Sequence, residues 1–427
     1  MTNLVIIGLG AAGFAAALSA RKTDREIEIT IVDKKNYDLM HPCGLPFALD
    51  GTVKLEDLKH SINAESMRIN VISNSKVDSI DTSKKEIQYY NLKNKENNKI
   101  GYDKLIIASG SSPIIPKIKG TENNKNLFSI HTPEDVKNLS NAIKKTKKVN
   151  IIGAGAIGLE TATALNKKGC DVTITEMLSQ CLPKAIDKDM SEIIETYLKN
   201  KKIKLHLNNP VEEIDKSIIT IIAAGVKPNT EIAEIADLKT EKFGIKVNEK
   251  METSARDVYA VGDCAEVLNL ITKKPWPALI ASSAYKQGTI AGANAAGKKL
   301  AYPGTLTTFA SVLGTLEVAA TGFNSYFAEK EHNVITGKAK SSTKPYWFPK
   351  NKEITLKIIA DKKTGKVLGA QAIGQGASEK INTISAAIKA NFTLQDLSDV
   401  ELTYCPAISQ TYDVLTMAAD NALRKIR

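Results

Sequence analysis

Residues 4–13 read LVIIGLGAAG, four apolar residues followed by glycines with the spacing G-x-G-x-x-G. A run of small residues follows at 14–20, and a second apolar stretch at 27–32 ends before Asp33. A strand, a glycine turn, a helix, a strand and an acid in this order are typical of a dinucleotide-binding βαβ unit. The glycines let the backbone approach a pyrophosphate at the helix N-terminus, and the acid binds ribose hydroxyls. The predicted binding residues are Gly8, Gly10, Gly13 and Asp33.

The same order of residues returns in the middle of the chain. Residues 149–158 read VNIIGAGAIG, and the strand expected at 171–175 ends before Glu176. One G-x-G-x-x-G is a weak signal, but both copies here have the flanking strands, the helix and the acid. The sequence therefore predicts an α/β fold with two Rossmann-like domains, one for a tightly bound flavin and one for an exchanging nicotinamide. The second site is predicted to consist of Gly153, Gly155, Gly158 and Glu176.

The residues that follow Glu176 bear on the choice of nicotinamide. Met177, Leu178 and Ser179 include no Arg that would receive a 2′-phosphate. Because a carboxylate repels that phosphate and binds free ribose hydroxyls, we expect NADH to be preferred, with NADPH as the alternative.

The composition is that of an ordinary globular protein. The 427 residues are 43% hydrophobic and 25% charged, which excludes a disordered, collagen-like or disulfide-stapled chain. No run of about 18 uncharged apolar residues occurs, and the N-terminus reads directly as a strand. We therefore expect no membrane span, no signal peptide and a cytoplasmic location. Five cysteines without a C-x-x-C pair favour reduced thiols and no metal site.

The net charge of +11 comes from lysines spread along the chain. Nucleic-acid binding would need a known motif or a basic stripe with interleaved aromatic residues, and aromatic residues are only 5% of the chain. We expect no nucleic-acid partner, although a positive surface would attract a small anionic substrate.

Two further segments extend the pattern to the whole chain. Residues 105–110 read LIIASG, a strand that ends in a glycine turn, and residues 253–263 read TSARDVYAVGD, with a carboxylate directly after a strand. With the two glycine motifs, they make the chain resemble the flavin-dependent pyridine nucleotide–disulfide oxidoreductases. The resemblance implies FAD and NAD(P)H as cofactors, a homodimer, and a place for Gly110 and Asp263 in the flavin site.

The same resemblance implies a domain order. The FAD-binding domain would be split between residues 1–117 and 246–316, with the NAD(P)-binding domain inserted at 118–245. A C-terminal α+β dimerisation domain would span 317–427.

Cys43 is the predicted redox residue. Members of the family with an internal redox disulfide carry two cysteines separated by four residues, but Ala48 stands at the second position here. The stretch CGLPF at 43–47 resembles the single-cysteine branch, which includes coenzyme A-disulfide reductase, NADH oxidase, NADH peroxidase and persulfide reductase. A single thiol stores its oxidised state as a mixed disulfide, a persulfide or a sulfenic acid. His41 replaces the usual Ser or Asn, either to stabilise the Cys43 thiolate or as a linker residue.

The C-terminal stretch ELTYCPAIS at 401–409 resembles the Tyr-Ala-Pro-Pro-x-Ser segment of coenzyme A-disulfide reductase. The resemblance implies that Tyr404 is a second catalytic residue, which reaches the flavin of the partner subunit. Cys405 is either a second thiol for Cys43 or a small apolar filler.

The sequence favours a sulfur substrate over a peroxide. The first glycine loop lacks the His with which family peroxidases and lactic-type NADH oxidases handle peroxide. We therefore expect NADH-dependent reduction of a disulfide or persulfide, with a coenzyme A derivative as the preferred substrate. The alternatives are an NADH oxidase that reduces oxygen, a reductase of rubredoxin or ferredoxin, and a flavin-bound sensor without enzymatic activity.

Overall fold

The computed structural model describes residues 1–426, which group into two compact units. Unit 1 comprises Met1–Gly44, Val53–Ser112 and Val226–Thr307. Unit 2 comprises Leu45–Thr52, Pro113–Gly225 and the chain from Thr308 onward. The division into three domains, with its boundaries near residues 117, 245 and 316, stays a prediction.

The secondary structure alternates between strands and helices over most of the chain. The strands are β1 (Asn3–Ile7), β2 (Glu28–Val32), β3 (Leu39–Met40), β4 (Lys59–His60), β5 (Ile69–Ile72), β6 (Ser75–Asp81), β7 (Glu86–Asn91), β8 (Glu96–Gly101), β9 (Lys104–Ile107), β10 (Ser111–Pro113), β11 (Leu127–Phe128), β12 (Lys148–Ile152), β13 (Asp171–Thr175), β14 (Lys204–His206), β15 (Ile219–Ile222), β16 (Val226–Pro228), β17 (Thr240–Glu241), β18 (Gly244–Lys246), β19 (Val258–Ala260), β20 (Ala265–Leu268), β21 (Pro275–Pro277), β22 (Phe309–Leu313), β23 (Leu316–Gly322), β24 (Val334–Ser342), β25 (Glu353–Asp361) and β26 (Val367–Gly374). The helices are α1 (Ala11–Thr23), α2 (Leu45–Asp50), α3 (Pro133–Lys145), α4 (Ala156–Lys167), α5 (Lys188–Asn200), α6 (Glu231–Ile235), α7 (Ala281–Ala295), α8 (Ser325–Ala328), α9 (Ala377–Lys389), α10 (Leu394–Ser398) and α11 (Val414–Leu423). Short 3-10 helices lie at Pro42–Gly44, Glu56–Leu58 and Gly262–Cys264.

A parallel sheet in the order β19-β9-β1-β2-β5 forms the centre of unit 1. Its strands are mostly apolar because both faces of the sheet are buried: α1 packs on the sheet, and apolar residues of β6 and β7 belong to the same core. Helix α1 packs closely on α7 through small residues. A Cβ added to Gly288 or Gly292 would overlap the carbonyl oxygens of Ala12 or Ala16. These contacts hold the N-terminus of α1 at the end of β1.

Unit 2 contains a second parallel sheet, in the order β11-β15-β12-β13-β14. Helix α3 begins with a capping box between Thr132 and Asp135, and α4 follows the second glycine loop. The chain from Thr308 onward adds an antiparallel sheet, β22-β23-β26-β25-β24, against which α9 and α11 pack. The predicted fold class, two Rossmann-like sheets and a C-terminal α+β part, is confirmed.

An ion cluster around the buried Lys357 joins the antiparallel sheet of unit 2 to its parallel-sheet part. The Nζ atom of Lys357, on β25, lies 2.8 Å from Asp187 and 2.7 Å from Asp189, which flank the start of α5. Asp187 also accepts hydrogen bonds from the backbone N–H and the hydroxyl of Ser325. Burial opposes the charge of Lys357, but the hydrogen bonds to both carboxylates raise its pKa above the ordinary value. The ammonium therefore stays charged inside the unit.

Within residues 1–426, no helix is both long and apolar enough to cross a membrane.

Candidate active site

The first glycine loop connects β1 to α1. Gly8 has a φ of +102°, and a Cβ there would overlap the carbonyl oxygen of Ala108, at the end of β9. A Cβ at Gly13 would overlap the carbonyl oxygen of Gly8. Gly10 differs, because its backbone is extended and no heavy atom lies within 4 Å of an added Cβ. The first and third glycines thus fold the loop tightly, and the middle one leaves open space at the N-terminus of a 13-residue helix.

Asp33 ties the end of β2 to this loop. Its buried carboxylate accepts a hydrogen bond from the Leu9 N–H at 2.5 Å and one from the Lys35 N–H at 2.7 Å. The Lys35 Nζ lies 3.2 Å from the same carboxylate and donates to the Leu9 carbonyl oxygen at 2.7 Å. Each carboxylate oxygen keeps acceptor capacity after these bonds. Asp33 therefore has the position and the chemistry to accept hydroxyl groups of a ribose.

The second glycine loop, between β12 and α4, repeats this geometry. Gly153 has a φ of +110°, and a Cβ there would overlap the carbonyl oxygen of Ala223. A Cβ at Gly158 would overlap the carbonyl oxygen of Gly153, whereas Gly155 again has nothing within 4 Å. The open space lies at the N-terminus of α4, where unpaired backbone N–H groups favour an anion.

Glu176 occupies the place in unit 2 that Asp33 occupies in unit 1. Its carboxylate, 8% exposed, accepts hydrogen bonds from the Ala154 N–H at 2.8 Å and the Leu178 N–H at 2.9 Å. In both units the acid thus binds the amide of the second residue in its glycine loop. Both loops have a cradle for a pyrophosphate and an acid for the adjoining ribose, which fits a dinucleotide in each unit.

Gly110 and Asp263 lie on two further turns of unit 1. Gly110 has a φ of +69° with open space around it, and its carbonyl oxygen accepts from the Asn229 N–H at 2.9 Å. Asp263, in the 3-10 helix after β19, accepts a hydrogen bond from the Ser111 hydroxyl at 2.8 Å. A Cβ on the preceding Gly262 would lie 3.0 Å from the Cβ of Ala12. The turn of Asp263 thus lies against the start of α1, and Gly110 follows β9, whose end contacts Gly8.

A buried polar network behind Asp263 was not predicted from the sequence. Gln287, fully buried on α7, accepts a hydrogen bond from the Gly262 N–H at 2.8 Å. Its amide nitrogen lies 3.5 Å from the Ser283 hydroxyl, which forms a short hydrogen bond with Tyr302. The available signal was a pair of polar residues spaced i, i+4 in a helix otherwise rich in small residues. The network fixes the left-handed backbone of Gly262 and hence the place of Asp263.

Cys43 lies in a tight turn on the surface of unit 1. The Gly44 N–H donates to the His41 carbonyl oxygen at 3.0 Å, and the His41 N–H donates to the Leu58 carbonyl oxygen at 2.9 Å. The thiol is exposed. A Cβ added to Gly44 would overlap the side chain of Leu58, so glycine lets the turn pack against the Glu56–Leu58 segment.

The remaining cysteines divide into a buried set and one exposed residue. Burial raises the pKa values of Cys170 and Cys264, and it raises that of Cys181 to about 12. These three thiols are therefore poor nucleophiles. Cys405 is exposed in unit 2, and its N–H lies 3.3 Å from the Ser409 hydroxyl. Tyr404, which is 50% exposed, precedes it on the same loop.

His60 is a second residue that the sequence did not indicate. It lies on β4, which pairs with β3 so that Leu39 is opposite His60. The imidazole rings of His41 and His60 meet edge to face with centroids 4.8 Å apart. No signal in the sequence pointed to this pair, because strands of two residues have no periodicity to detect.

Residues 2–288 match the family model of the pyridine nucleotide-disulphide oxidoreductases, and residues 308–414 match the dimerisation domain of that family. The chain belongs to this family. It is therefore an FAD-dependent oxidoreductase that uses NAD(P)H, as the resemblance implied.

The relatives span two named activities. The chain is 35% identical to a protein of Methanocaldococcus jannaschii named NADH oxidase, over 99% of each chain. It is 33% identical to the NAD(P)H sulfur oxidoreductase (CoA-dependent) of Pyrococcus furiosus, over 98% of each chain. Among solved structures, an NAD-dependent persulfide reductase from A. fulgidus matches with a TM-score of 0.95 and 30% identity, covering 99% of this chain and 83% of that one.

Proposed function

We propose that the protein reduces a disulfide or persulfide at Cys43 with electrons from NADH, and that a coenzyme A disulfide or persulfide is the preferred substrate. The observation that carries this proposal is the placement of Cys43. It is an exposed thiol on a tight turn of the unit that holds the flavin-site residues, whereas Cys170, Cys181 and Cys264 are buried. The named activities of the Pyrococcus furiosus and A. fulgidus proteins support a sulfur substrate.

Cofactor binding follows from the two loops. In unit 1, Gly10 and Asp33 would hold the pyrophosphate and a ribose of FAD, with Asp263 at the ribitol. In unit 2, Gly155 and Glu176 would hold NADH. When bound, FAD accepts two electrons from NADH and makes them available to sulfur.

The sulfur chemistry would begin at the Cys43 thiolate. It attacks one sulfur of the substrate, a Cys43–substrate disulfide or a Cys43 persulfide forms, and the other sulfur leaves as a thiolate with the bonding pair. Two electrons from NADH, passed on by the bound flavin, and a proton would then cleave the new S–S bond, which restores the Cys43 thiolate and releases the second substrate sulfur as a thiol or as hydrogen sulfide. The turn closed by His41 and Gly44 exposes the thiol and fixes its backbone for this attack.

Tyr404 would act from the partner subunit in a homodimer. The match of residues 308–414 to the dimerisation domain supports the assembly, and the half-exposed phenol is accessible on its loop. A phenol can protonate a leaving thiolate as a general acid. Tyr404→Phe should therefore slow disulfide reduction and leave reduction of the flavin by NADH unchanged.

The test is anaerobic stopped-flow kinetics on Cys43→Ser, with Cys405→Ser as the matched control. Cys43→Ser should retain FAD and flavin reduction by NADH. Because it removes the covalent step, its turnover of coenzyme A disulfide should fall by at least about a thousandfold, where each factor of ten corresponds to about 1.4 kcal/mol of barrier. Cys405→Ser should keep turnover. Near wild-type turnover of coenzyme A disulfide by Cys43→Ser would refute the role of Cys43.

The second candidate function is an NADH oxidase. The name of the 35% identical Methanocaldococcus jannaschii relative favours it. Parallel assays of oxygen consumption and of anaerobic disulfide or persulfide turnover decide between the two, because an oxidase consumes NADH only when oxygen is present.

A further inference from the structure

The ribbon of β3 and β4 places two imidazoles next to the Cys43 turn. His41 continues β3, and its N–H bonds to the Leu58 carbonyl oxygen, directly before β4. Side chains alternate along a strand, so His41 shares the face of Leu39 and of the opposite residue, His60. The ring contact of 4.8 Å agrees with this register. Because His41 and Cys43 are two residues apart, their Cα atoms lie within about 7 Å of each other.

The ring nitrogens of this pair are available to a ligand. Both histidines are exposed, and within residues 1–426 neither ring has a hydrogen-bond or ion-pair partner. The charged side chains nearby have partners other than these two imidazoles. Lys35 bonds to Asp33 and to the Leu9 carbonyl oxygen, and the Asp38 carboxylate accepts from the Ile62 N–H at 3.1 Å. The imidazole pair is thus open to solvent and to a ligand, next to the turn that carries Cys43.

We propose that His41 and His60 form an anion-binding site that receives the sulfur anion released at Cys43. This inference rests on the proposed function of Cys43. When the Cys43 thiolate attacks a substrate disulfide, a Cys43–sulfur bond forms and the substrate S–S bond breaks. The leaving sulfur takes the bonding pair as a thiolate, or as hydrosulfide when a persulfide loses its terminal sulfur. An imidazolium binds that anion and can transfer its proton to it, which gives the neutral thiol or hydrogen sulfide.

Alkylation with a matched pair of reagents tests the site without turnover. Reduced holoenzyme is treated with iodoacetate, an anion, or with iodoacetamide, its neutral analogue, at low ionic strength near pH 5.5, about one unit below the reference pKa of an imidazole. Peptide mass spectrometry gives the rates at Cys43 with both reagents. The variants are His60→Gln and His41→Gln.

Lys59→Gln is the control variant. Lys59 precedes His60 on β4 and therefore points to the opposite face, where its ammonium lies 4.9 Å from the ring centroid of Tyr37.

We expect each histidine variant to lower the iodoacetate-to-iodoacetamide rate ratio at Cys43 about threefold, the effect of one charge about 7 Å away in water. The iodoacetamide rate at Cys43 should stay within about twofold. Raising the salt to about 0.5 M should shrink the difference, because it screens exposed charges.

Two results would overturn the inference: an unchanged ratio in both histidine variants, or an equal fall in Lys59→Gln, which would indicate a generally basic surface. The proposed function fails separately. If Cys43→Ser keeps turnover while the ratio depends on His60, the anion site exists without a redox role. If Cys43→Ser is inactive and the iodoacetate-to-iodoacetamide rate ratio is unchanged in both histidine variants, Cys43 is the redox thiol and the anion-binding site is absent.

Discussion

Gly155→Ala and Gly158→Ala add the same methyl group at positions three residues apart in the second glycine loop, and we expect opposite consequences. Gly155 has φ −76° and ψ 179°, a conformation that Ala adopts, and no heavy atom lies within 4 Å of the new Cβ. The unfolded chain loses entropy, worth about 0.4–1 kcal/mol in favour of folding. Ala is a poorer N-cap than Gly by a similar amount. The stability should therefore change little.

The same methyl group should weaken NADH binding strongly. It fills the space through which a pyrophosphate approaches the N-terminus of α4. Loss of a hydrogen bond to a charged group costs about 1.5–3 kcal/mol, so the KM for NADH should rise about 10- to 100-fold.

Gly158→Ala should instead damage the fold. Its Cβ would overlap the carbonyl oxygen of Gly153, so the backbone must shift, at a cost of about 1–3 kcal/mol. In a unit of this size each kcal/mol lowers Tm by about 2–4 °C. Thermal melts without nucleotide measure this effect, and a titration of flavin reduction against NADH measures binding. A normal KM in Gly155→Ala, or a wild-type Tm in Gly158→Ala, would refute the assignment of the two glycines.

Three further predictions concern hydrogen-bonded polar side chains. Glu176→Gln removes the charge that repels a 2′-phosphate, so the ratio of kcat/KM for NADH to that for NADPH should fall about tenfold or more; an unchanged ratio would place nicotinamide selection elsewhere. Gln287→Leu leaves the Gly262 amide without its acceptor, and FAD released on gel filtration should increase about tenfold; a lower Tm with unchanged FAD retention would indicate a purely structural role. Hydrogen bonds from Lys104 and Lys85 lower the pKa of Asp257 to about 2 from 3.8, so its stabilisation is full above pH 4 and is lost as the pH falls through 2. At neutral pH, Asp257→Asn should cost about 1–2 kcal/mol of stability after solvent screening. The resulting Tm difference from the wild type should therefore vanish near pH 2.

The glycine loops were predictable because their constraints are local. The spacing of Gly8, Gly10 and Gly13 is set by one turn and the start of one helix, and the acid that ends the next strand is a short distance along the chain. The structure places the Leu9 N–H on Asp33 and the Ala154 N–H on Glu176, as such units require.

Two contacts that shape the site were not predicted from the sequence. Gln287 bonds to Gly262 across the sheet-to-helix packing, and His60 reaches His41 through a ribbon of two-residue strands. The i, i+4 spacing of Ser283 and Gln287 marks a polar pair on α7 but not its partner, and strands of two residues leave no periodicity that would pair His60 with His41. Cys43 was found by resemblance to a family, whereas composition alone would have made it a core residue.

The ion cluster around Lys357 has a consequence for how far this protein is modular. Its ammonium comes from the antiparallel sheet, and its carboxylate partners, Asp187 and Asp189, come from the nucleotide-binding part of the chain. A fragment cut near residue 245 would keep both acids and lose the lysine, so Asp187 and Asp189 would face water without this cation. A graft of that segment into another protein would therefore retain the ion cluster only if it also carried β25.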